Sequence, residues 1–388
     1  MSPTSIQKVF LDTSLVPDFG ERRRKVTALL AEHRSETGQD IRVLLTRPED
    51  IRWLCGFSGS NGWLLVSEDQ IHLLTDGRYT DQAQTQTEAC GVAVEVATTG
   101  VGQGLHGLLN SFVQAEAVLW FQSGDLTVSD FESLRGVFAG EMRPCSKQWD
   151  ALRRCKDEAE IQLIARAAGI ADAALEQCRS LLGMCVSERD FRDEIEYAMR
   201  KLGADGPSYD TIVASGPENA ARPHHRPTAT LIEPGHTVVI DVGALVNGYH
   251  SDMTRSFVIG DMSREQDEIY DAVQRAQRAG VEKVAPGVPV REIDQACRKV
   301  LQEAGLVEFF THGTGHGVGL AIHEEPFLNQ VSPAVLEVGD VVTVEPGVYR
   351  RGFGGFRVED LLVVTQTGSR QLTLSPKDPT CLLSPPTT

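Results

Sequence analysis

Two runs of this chain put carboxylates inside stretches that otherwise read as buried strand. They are VVIDVGALVNGYHSDMTRSF, starting at Val238, and VVTVEPGVYRRGFGGFRVEDLLVVT, starting at Val341. In the first, Asn247-Gly248 supplies turn chemistry, and a four-residue loop from Leu245 to Gly248 would set Asp241 opposite Asp252 on one side of the sheet. In the second, Glu345 and Glu359 lie symmetrically about Gly352 in two β-rich runs joined by a glycine-rich loop, so they too are expected to face one another across a hairpin. Like charges directly opposite destabilise a sheet, and Val238, Val239, Ile240 and Val242 leave little room for water. Each pair therefore calls for a proton or a cation, and two such pairs point to a metal.

Seven of the ten histidines, at 224, 225, 236, 250, 312, 316 and 323, fall within 100 residues of one another, beside or between these acids. The segment THGTGHGVGLAIHEEP brings three of them among glycines that allow close backbone approach, so an imidazole could reach a buried centre. His323-Glu324-Glu325-Pro326 is not H-E-x-x-H, and the glycine spacing is not the G-x-G-x-x-G dinucleotide fingerprint. Four carboxylates and one imidazole would balance two divalent cations charge for charge. An oxygen-rich set of this kind suits Mn²⁺, and Co²⁺, Fe²⁺ or Zn²⁺ would also fit. Two ions so held can share a hydroxide nucleophile and polarise a carbonyl.

The remaining pattern predicts two domains, residues 1–150 and 151–388. In the first, Arg24 to Ala31 is amphipathic, and Arg42 to Thr46, Trp63 to Ser67 and Ile71 to Thr75 read as short strands of an α/β domain. Gly56-Phe57-Ser58-Gly59-Ser60 misses G-x-S-x-G and reads as a glycine turn. The second domain opens with the helical stripe KDEAEIQLIARAAGIADAAL, followed by helices near Glu188 to Leu202, Arg264 to Ala279 and Val290 to Ala304. Between and beyond them lie strands at Thr237 to Asp241, Tyr249 to Ile259, Asp340 to Glu345 and Phe356 to Thr365, giving helices against a largely antiparallel sheet. After Lys377 the chain is expected to fray.

Lys+Arg 37 against Asp+Glu 54 gives a formal charge of −17, which repels phosphate backbones and anionic lipid, so neither nucleic acid nor membrane is expected as a partner. MSPTSIQKVFLD has no basic stretch followed by an apolar one, and the eight cysteines form no C-x-x-C pair. A soluble protein of the reducing cytoplasm is the expectation.

With these residues in view, the chain resembles the pita-bread metallopeptidases, in the branch of Xaa-Pro aminopeptidases and Xaa-Pro dipeptidases (prolidases). SGPENAARPHH, DVGALVNGYHSDMTR, HGTGHGVGLAIHEEP, VEPGVY and FRVED occur in family order, and RWLCGFSGSNGWLLVS with LLTDGRYTDQA looks like the N-terminal domain of creatinase and prolidase. The resemblance implies an α+β fold, with a curved, largely antiparallel catalytic sheet under covering helices, preceded by that α/β domain. It also implies a ligand set in which Asp241 chelates one ion, Asp252 and Glu359 bridge both, and His316 and Glu345 complete the other. By the same likeness Glu345 is the general base, His224 and His323 flank the substrate carbonyl and leaving nitrogen, and His312 and Arg357 contact substrate. His225, His236 and His250 receive no role.

The implied substrates are peptides with proline at the second position, whose tertiary amide lacks an N–H and defeats enzymes that grip an extended backbone. The implied assembly is a homodimer. Many relatives carry Arg after the proline of H-E-x-P, where this chain has Phe327. That change favours an aminopeptidase acting on longer chains over a prolidase, unless Arg350 or Arg351 supplies the charge. A metal-free creatinase-like amidinohydrolase and a non-catalytic binding module are the competing readings, and both usually lose metal ligands.

Overall fold

The computed structural model of the protein describes residues 16–100, 104–114 and 116–382, and the leader reading of the first twelve residues lies outside them. The described chain forms two compact units, Val16–Arg153 and a second that begins at Arg154.

In the first unit, strands β1 (Ile41–Leu45), β2 (Gly62–Val66), β3 (Ile71–Thr75), β4 (Glu95–Thr98), β5 (Val118–Phe121) and β6 (Met142–Pro144) make one sheet in the order β4-β3-β2-β1-β5-β6. Strands β1, β2 and β3 pair antiparallel. The parallel pairs β3/β4 and β5/β6 are joined by the helices Thr80–Ala89 and Val128–Val137, as parallel connections require. Apolar runs bury one sheet face: Leu44, Leu65, Leu74 and Leu119 pack with Leu134 of the second connecting helix. The expected amphipathic stretch lies inside the helix Phe19–Thr37, which buries Phe19, Arg22, Val26 and Leu30 at helical spacing.

The second unit is α+β, with helices Glu158–Cys178, Glu188–Lys201, Arg264–Val281 and Val290–Glu303. Three of them start where the sequence supplies a capping box: Asp157 with Glu160, Ser187 with Asp190 and Ser263 with Gln266. The strands are β7 (Gly206–Pro207), β8 (Ile212–Ser215), β9 (Thr237–Asp241), β10 (Ala244–Val246), β11 (Tyr249–His250), β12 (Thr254–Ile259), β13 (Gly315–Gly317), β14 (Glu324–Leu328), β15 (Val341–Val344), β16 (Gly347–Arg350), β17 (Gly354–Arg357), β18 (Asp360–Val364), β19 (Ser369–Gln371) and β20 (Thr380–Cys381). They form sheets ordered β20-β12-β9-β8, β14-β13-β15-β18-β19, β11-β10-β7 and β16-β17, antiparallel except for β12/β20. Val273, Ala276, Ile293 and Cys297 from two helices pack on Val342, Val344, Phe356 and Leu362 in one buried cluster.

The expected single strands Tyr249 to Ile259 and Phe356 to Thr365 are each divided, into β11 and β12 and into β17 and β18, which fall in different sheets, and two further details differ from the sequence reading. Asp241 pairs with Thr254, not with Asp252. The hairpin β10/β11 turns in two residues rather than four, pairing Val246 with Tyr249. Asn247 (φ 49°) and Gly248 (φ 75°) both take the left-handed conformation that suits a tight hairpin, and the shorter loop shifts the register by two. Asp252 consequently sits two positions along from Asp241's partner, which keeps it on the same face. The second difference is the tail, which does not fray at Lys377. Thr380 and Cys381 pair parallel with Val258 and Ile259, and Cys381 is buried. The second acidic pair sits where its strands part. Val344 pairs with Asp360 and Gly347 with Arg357, so Glu345 and Glu359 stand level between the two ladders. Their amides turn outward instead, to Thr314 O at 2.8 Å and Thr254 O at 3.1 Å.

Candidate metal centre

Strands β9, β12 and β13 and the gap between β15/β18 and β16/β17 converge on a cavity of about 290 Å³. Asp241, Asp252, His316, Glu345 and Glu359 all line it, with His224, His323, Tyr209, Asp210, Ile212 and Ile322. Ligand atoms of Asp252, His316 and Glu359 lie within 4.8 Å of one another, all three side chains buried. A larger, more open cleft of about 820 Å³ runs along the helix Val290–Glu303, but it is walled by Lys, Arg, Gln and their counter-charges and holds no histidine or cysteine.

The glycines explain how His316 gets there. A Cβ on Gly315 would overlap the Thr343 carbonyl, and one on Gly317 the Glu325 carbonyl, so β13 can lie against its neighbours only with glycine on either side of the histidine. His316 Nδ1 is 3.0 Å from the Gly317 carbonyl and so carries a proton donated to it. This leaves Nε2 facing Asp252 at 3.4 Å and Glu345 at 3.7 Å.

The electrostatics are those of a site with too much negative charge for its solvation. Burial pushes Asp241 up to about 6 despite the pull of Arg357, and Glu345 up to about 7 despite His316 and Arg357. Burial, then the carboxylates of Asp252, Glu345 and Asp241, drives Glu359 far above the usual carboxylate range. His316 moves the other way from an ordinary buried imidazole. Burial opposes its charge, but Asp252 and Glu345 outweigh it and raise His316 to about 9. Protons thus stand in for missing positive charge. Glu359 Oε1, moreover, is fully buried with no hydrogen-bond partner, an orphaned acceptor aimed into the site. Both observations fit divalent metal held among these side chains, Asp252, His316 and Glu359 being the three whose ligand atoms lie close enough together.

The expected flanking histidines also reach the cavity. His323 stacks edge-on to His316 at 4.4 Å between ring centroids, and burial, then the His316 charge, lowers its pKa. His224 lines the wall with its ring exposed. Arg357 and His312, expected to touch substrate, are not among the residues that line the cavity. Arg357 is buried behind the carboxylates. Its Nε donates to Thr254 Oγ1 (2.9 Å), Nη1 to Pro223 O (2.9 Å) and Tyr349 Oη (2.8 Å), and Nη2 to Asp241 Oδ2 (2.5 Å), which occupies nearly every N–H it has. His312 lies one bond further back, with Nε2 3.0 Å from Tyr349 Oη. Burial, then Arg357, lowers it to about 4, so it stays neutral and accepts from the tyrosine. Arg350 is likewise committed elsewhere, to Glu265 at 2.6 Å.

Tyr209 went unnoticed in the sequence. Its buried hydroxyl donates towards both Asp241 Oδ1 and Asp252 Oδ1, the latter at 2.5 Å, bracing the two carboxylates. Nothing local marks it. Only the pairing of Ile212 with Asp241, which brings the chain before β8 to this end of β9, would have revealed it.

Buried acids and an imidazole that converge on a small open cavity, carried on antiparallel strands beneath helices, define a hydrolytic metalloenzyme of the pita-bread type. The chain belongs to metallopeptidase family M24, which matches residues 162–366, and residues 22–155 match the creatinase/prolidase N-terminal domain. It is 31% identical over 371 residues to an Xaa-Pro dipeptidase of Pyrococcus furiosus, covering 92% of this chain and 99% of that one. A solved Xaa-Pro dipeptidase from Bacillus anthracis is similar at a TM-score of 0.87 and 37% identity, over 93% of this chain and 100% of the other. An X-Pro aminopeptidase from Thermotoga maritima is similar at 0.82 and 31%, over 90% and 99%.

Proposed function

We propose that this hydrolase is a dinuclear metal-dependent exopeptidase that cleaves the bond between an N-terminal residue and a following proline, with Xaa-Pro aminopeptidase the preferred reading. The observation that carries it is the convergence of five ligand-type side chains, one with an orphaned buried oxygen, on one cavity. Asp241, Asp252, His316, Glu345 and Glu359 would hold two divalent cations, which we assign as Mn²⁺, with Co²⁺, Zn²⁺ or Fe²⁺ able to substitute. When bound, such ions supply Lewis acidity and lower the pKa of water.

The chain's own groups then divide the work. Glu345, on the cavity wall beside the other acids, takes a proton from the attacking water and returns it to the departing proline nitrogen. His323 and His224, on the cavity wall, hydrogen-bond the carbonyl oxygen as it gains charge and the leaving nitrogen. Ile212 and Ile322 offer an apolar surface to the pyrrolidine ring. Arg357 and Tyr209 hold the carboxylates in place.

The aminopeptidase reading rests on a lining that contains no lysine or arginine to receive a substrate's terminal carboxylate near the acids. The likeness to the two dipeptidases favours the second reading, an Xaa-Pro dipeptidase. A cytoplasmic homodimer completes the proposal; the free and mostly buried cysteines are consistent with its reducing compartment. The deciding experiment gives chelator-stripped protein matched Xaa-Pro and Xaa-Pro-Yaa peptides before and after Mn²⁺, Co²⁺ or Zn²⁺ is restored. Metal-restored cleavage preferring the longer peptide is the expected result, and cleavage of the dipeptide alone makes the enzyme a prolidase. Absence of cleavage by protein that binds metal overturns the peptidase reading in favour of a binding module. Light scattering would read the oligomeric state.

A further inference from the structure

His224 lines the cavity, yet its imidazole makes no hydrogen bond to protein among the described residues. It sits in an irregular segment between the short helix Gly216–Asn219 and β9, so no ladder fixes it. The residues on either side are fixed instead. Upstream, the Pro223 carbonyl accepts from Arg357 Nη1 at 2.9 Å. Downstream, the His225 ring turns inward and its Nε2 lies 2.9 Å from Glu188 Oε2, with both side chains buried.

Glu188 is a hub. It is the first residue of the helix Glu188–Lys201, where the helix dipole favours an anion, and it is completely buried. One carboxylate oxygen accepts from Ser215 N (2.7 Å) and Asn219 Nδ2 (3.0 Å). The other accepts from Thr228 N (2.9 Å) and Thr228 Oγ1 (2.8 Å) as well as from His225. A buried carboxylate must satisfy its lone pairs, and this one does so by tying β8 and both ends of the histidine segment to a single helix end.

We infer that Glu188 and His225 form a positioning pair whose task is to set the His224 imidazole on the cavity wall. The inference rests on the peptidase reading above for what His224 does there. His225 touches neither substrate nor metal ligands and acts through its neighbour. Displacement of a reacting group by about 1 Å is enough to cost one to two orders of magnitude in rate.

The test compares His225→Phe, His225→Gln and His224→Ala in metal-loaded full-length protein. His225→Phe should lower kcat about tenfold or more with KM and metal content little changed and with a modest fall in thermal midpoint, since Glu188 loses one of its five donors. His225→Gln, which keeps a donor near the Nε2 position, should recover most of the loss. The double variant His224→Ala/His225→Phe should be no slower than His224→Ala alone, since a residue acting only through His224 has nothing left to position. Independent, additive losses overturn the proposal, as does failure of Gln to rescue. A readout that needs no turnover separates this proposal from the peptidase reading. With histidine labelled at ¹³Cε1, the His224 resonance, assigned by its absence in His224→Ala, should shift or broaden in His225→Phe and return in His225→Gln. An unchanged resonance refutes positioning, whereas wild-type protein inert on every Xaa-Pro peptide refutes the peptidase reading alone.

Discussion

Glu359 Oε1 is the sharpest single atom in the molecule: a carboxylate oxygen sealed from water with no donor. Such an atom costs about 1–3 kcal/mol unless something positive meets it. Asp252 shares the burden, because its oxygens lie among Tyr209, His316 and the other acids. Asp252→Asn removes one charge from the shared set and should abolish both metal retention and turnover while circular dichroism stays native. Full activity in that variant would refute the dinuclear assignment. Tyr209→Phe removes the hydroxyl that braces two carboxylates. It should weaken metal affinity about 10–100-fold, the usual effect of losing a group that orients a ligand, with the fold intact. Competition with a fluorescent chelator measures this, and unchanged affinity would make the hydroxyl a bystander.

At the scale of elements, the strands could be read because their residues carry the pattern locally. The apolar run before Asp241 and the capping boxes at Asp157, Ser187 and Ser263 set their elements within a residue or two. The level placement of Glu345 and Glu359 followed from arithmetic about Gly352. Besides Tyr209, three things were not legible, each because it depends on contacts distant in the chain. The Asp241 register turned on a two-residue loop that only the geometry of Asn247 and Gly248 decides. The tail's order depends on a free edge of β12, and Arg357's retreat from the cavity depends on Pro223 and Tyr349. Two glycine substitutions separate steric from conformational roles. Gly248→Ala, where φ is 75°, should cost about 1–2 kcal/mol in urea unfolding, the ordinary penalty for a left-handed alanine. Gly315→Ala drives a Cβ into the Thr343 carbonyl and should cost more than about 3 kcal/mol. Equal penalties would mean that β13 can move away from β15.

For the whole molecule, the acids make stability depend on metal and pH together. Without metal, Asp241 near 6 and Glu345 near 7 are raised above their unfolded values of about 4, and His316 near 9 is raised above about 6.5. A raised pKa stabilises the fold below the unfolded value and loses that stability as pH climbs through the folded one, and here the carboxylates and the imidazole act in the same direction. The thermal midpoint of stripped protein should therefore fall between pH 5 and 8, while that of metal-loaded protein holds, so the gap between them widens with pH. A gap that does not vary with pH would contradict the proton-for-cation exchange. The short β20 has a different consequence, for how copies of the molecule behave towards one another. It covers the outer rim of β12, whose amides at Val258 and Gly260 donate to the carbonyls of Pro379 and Cys381. A chain shortened to end at Lys377 should leave those groups open as a template for a neighbour's backbone. It should keep its active-site residues and yet self-associate with rising concentration, so that two residues far from the chemistry act as a guard against aggregation.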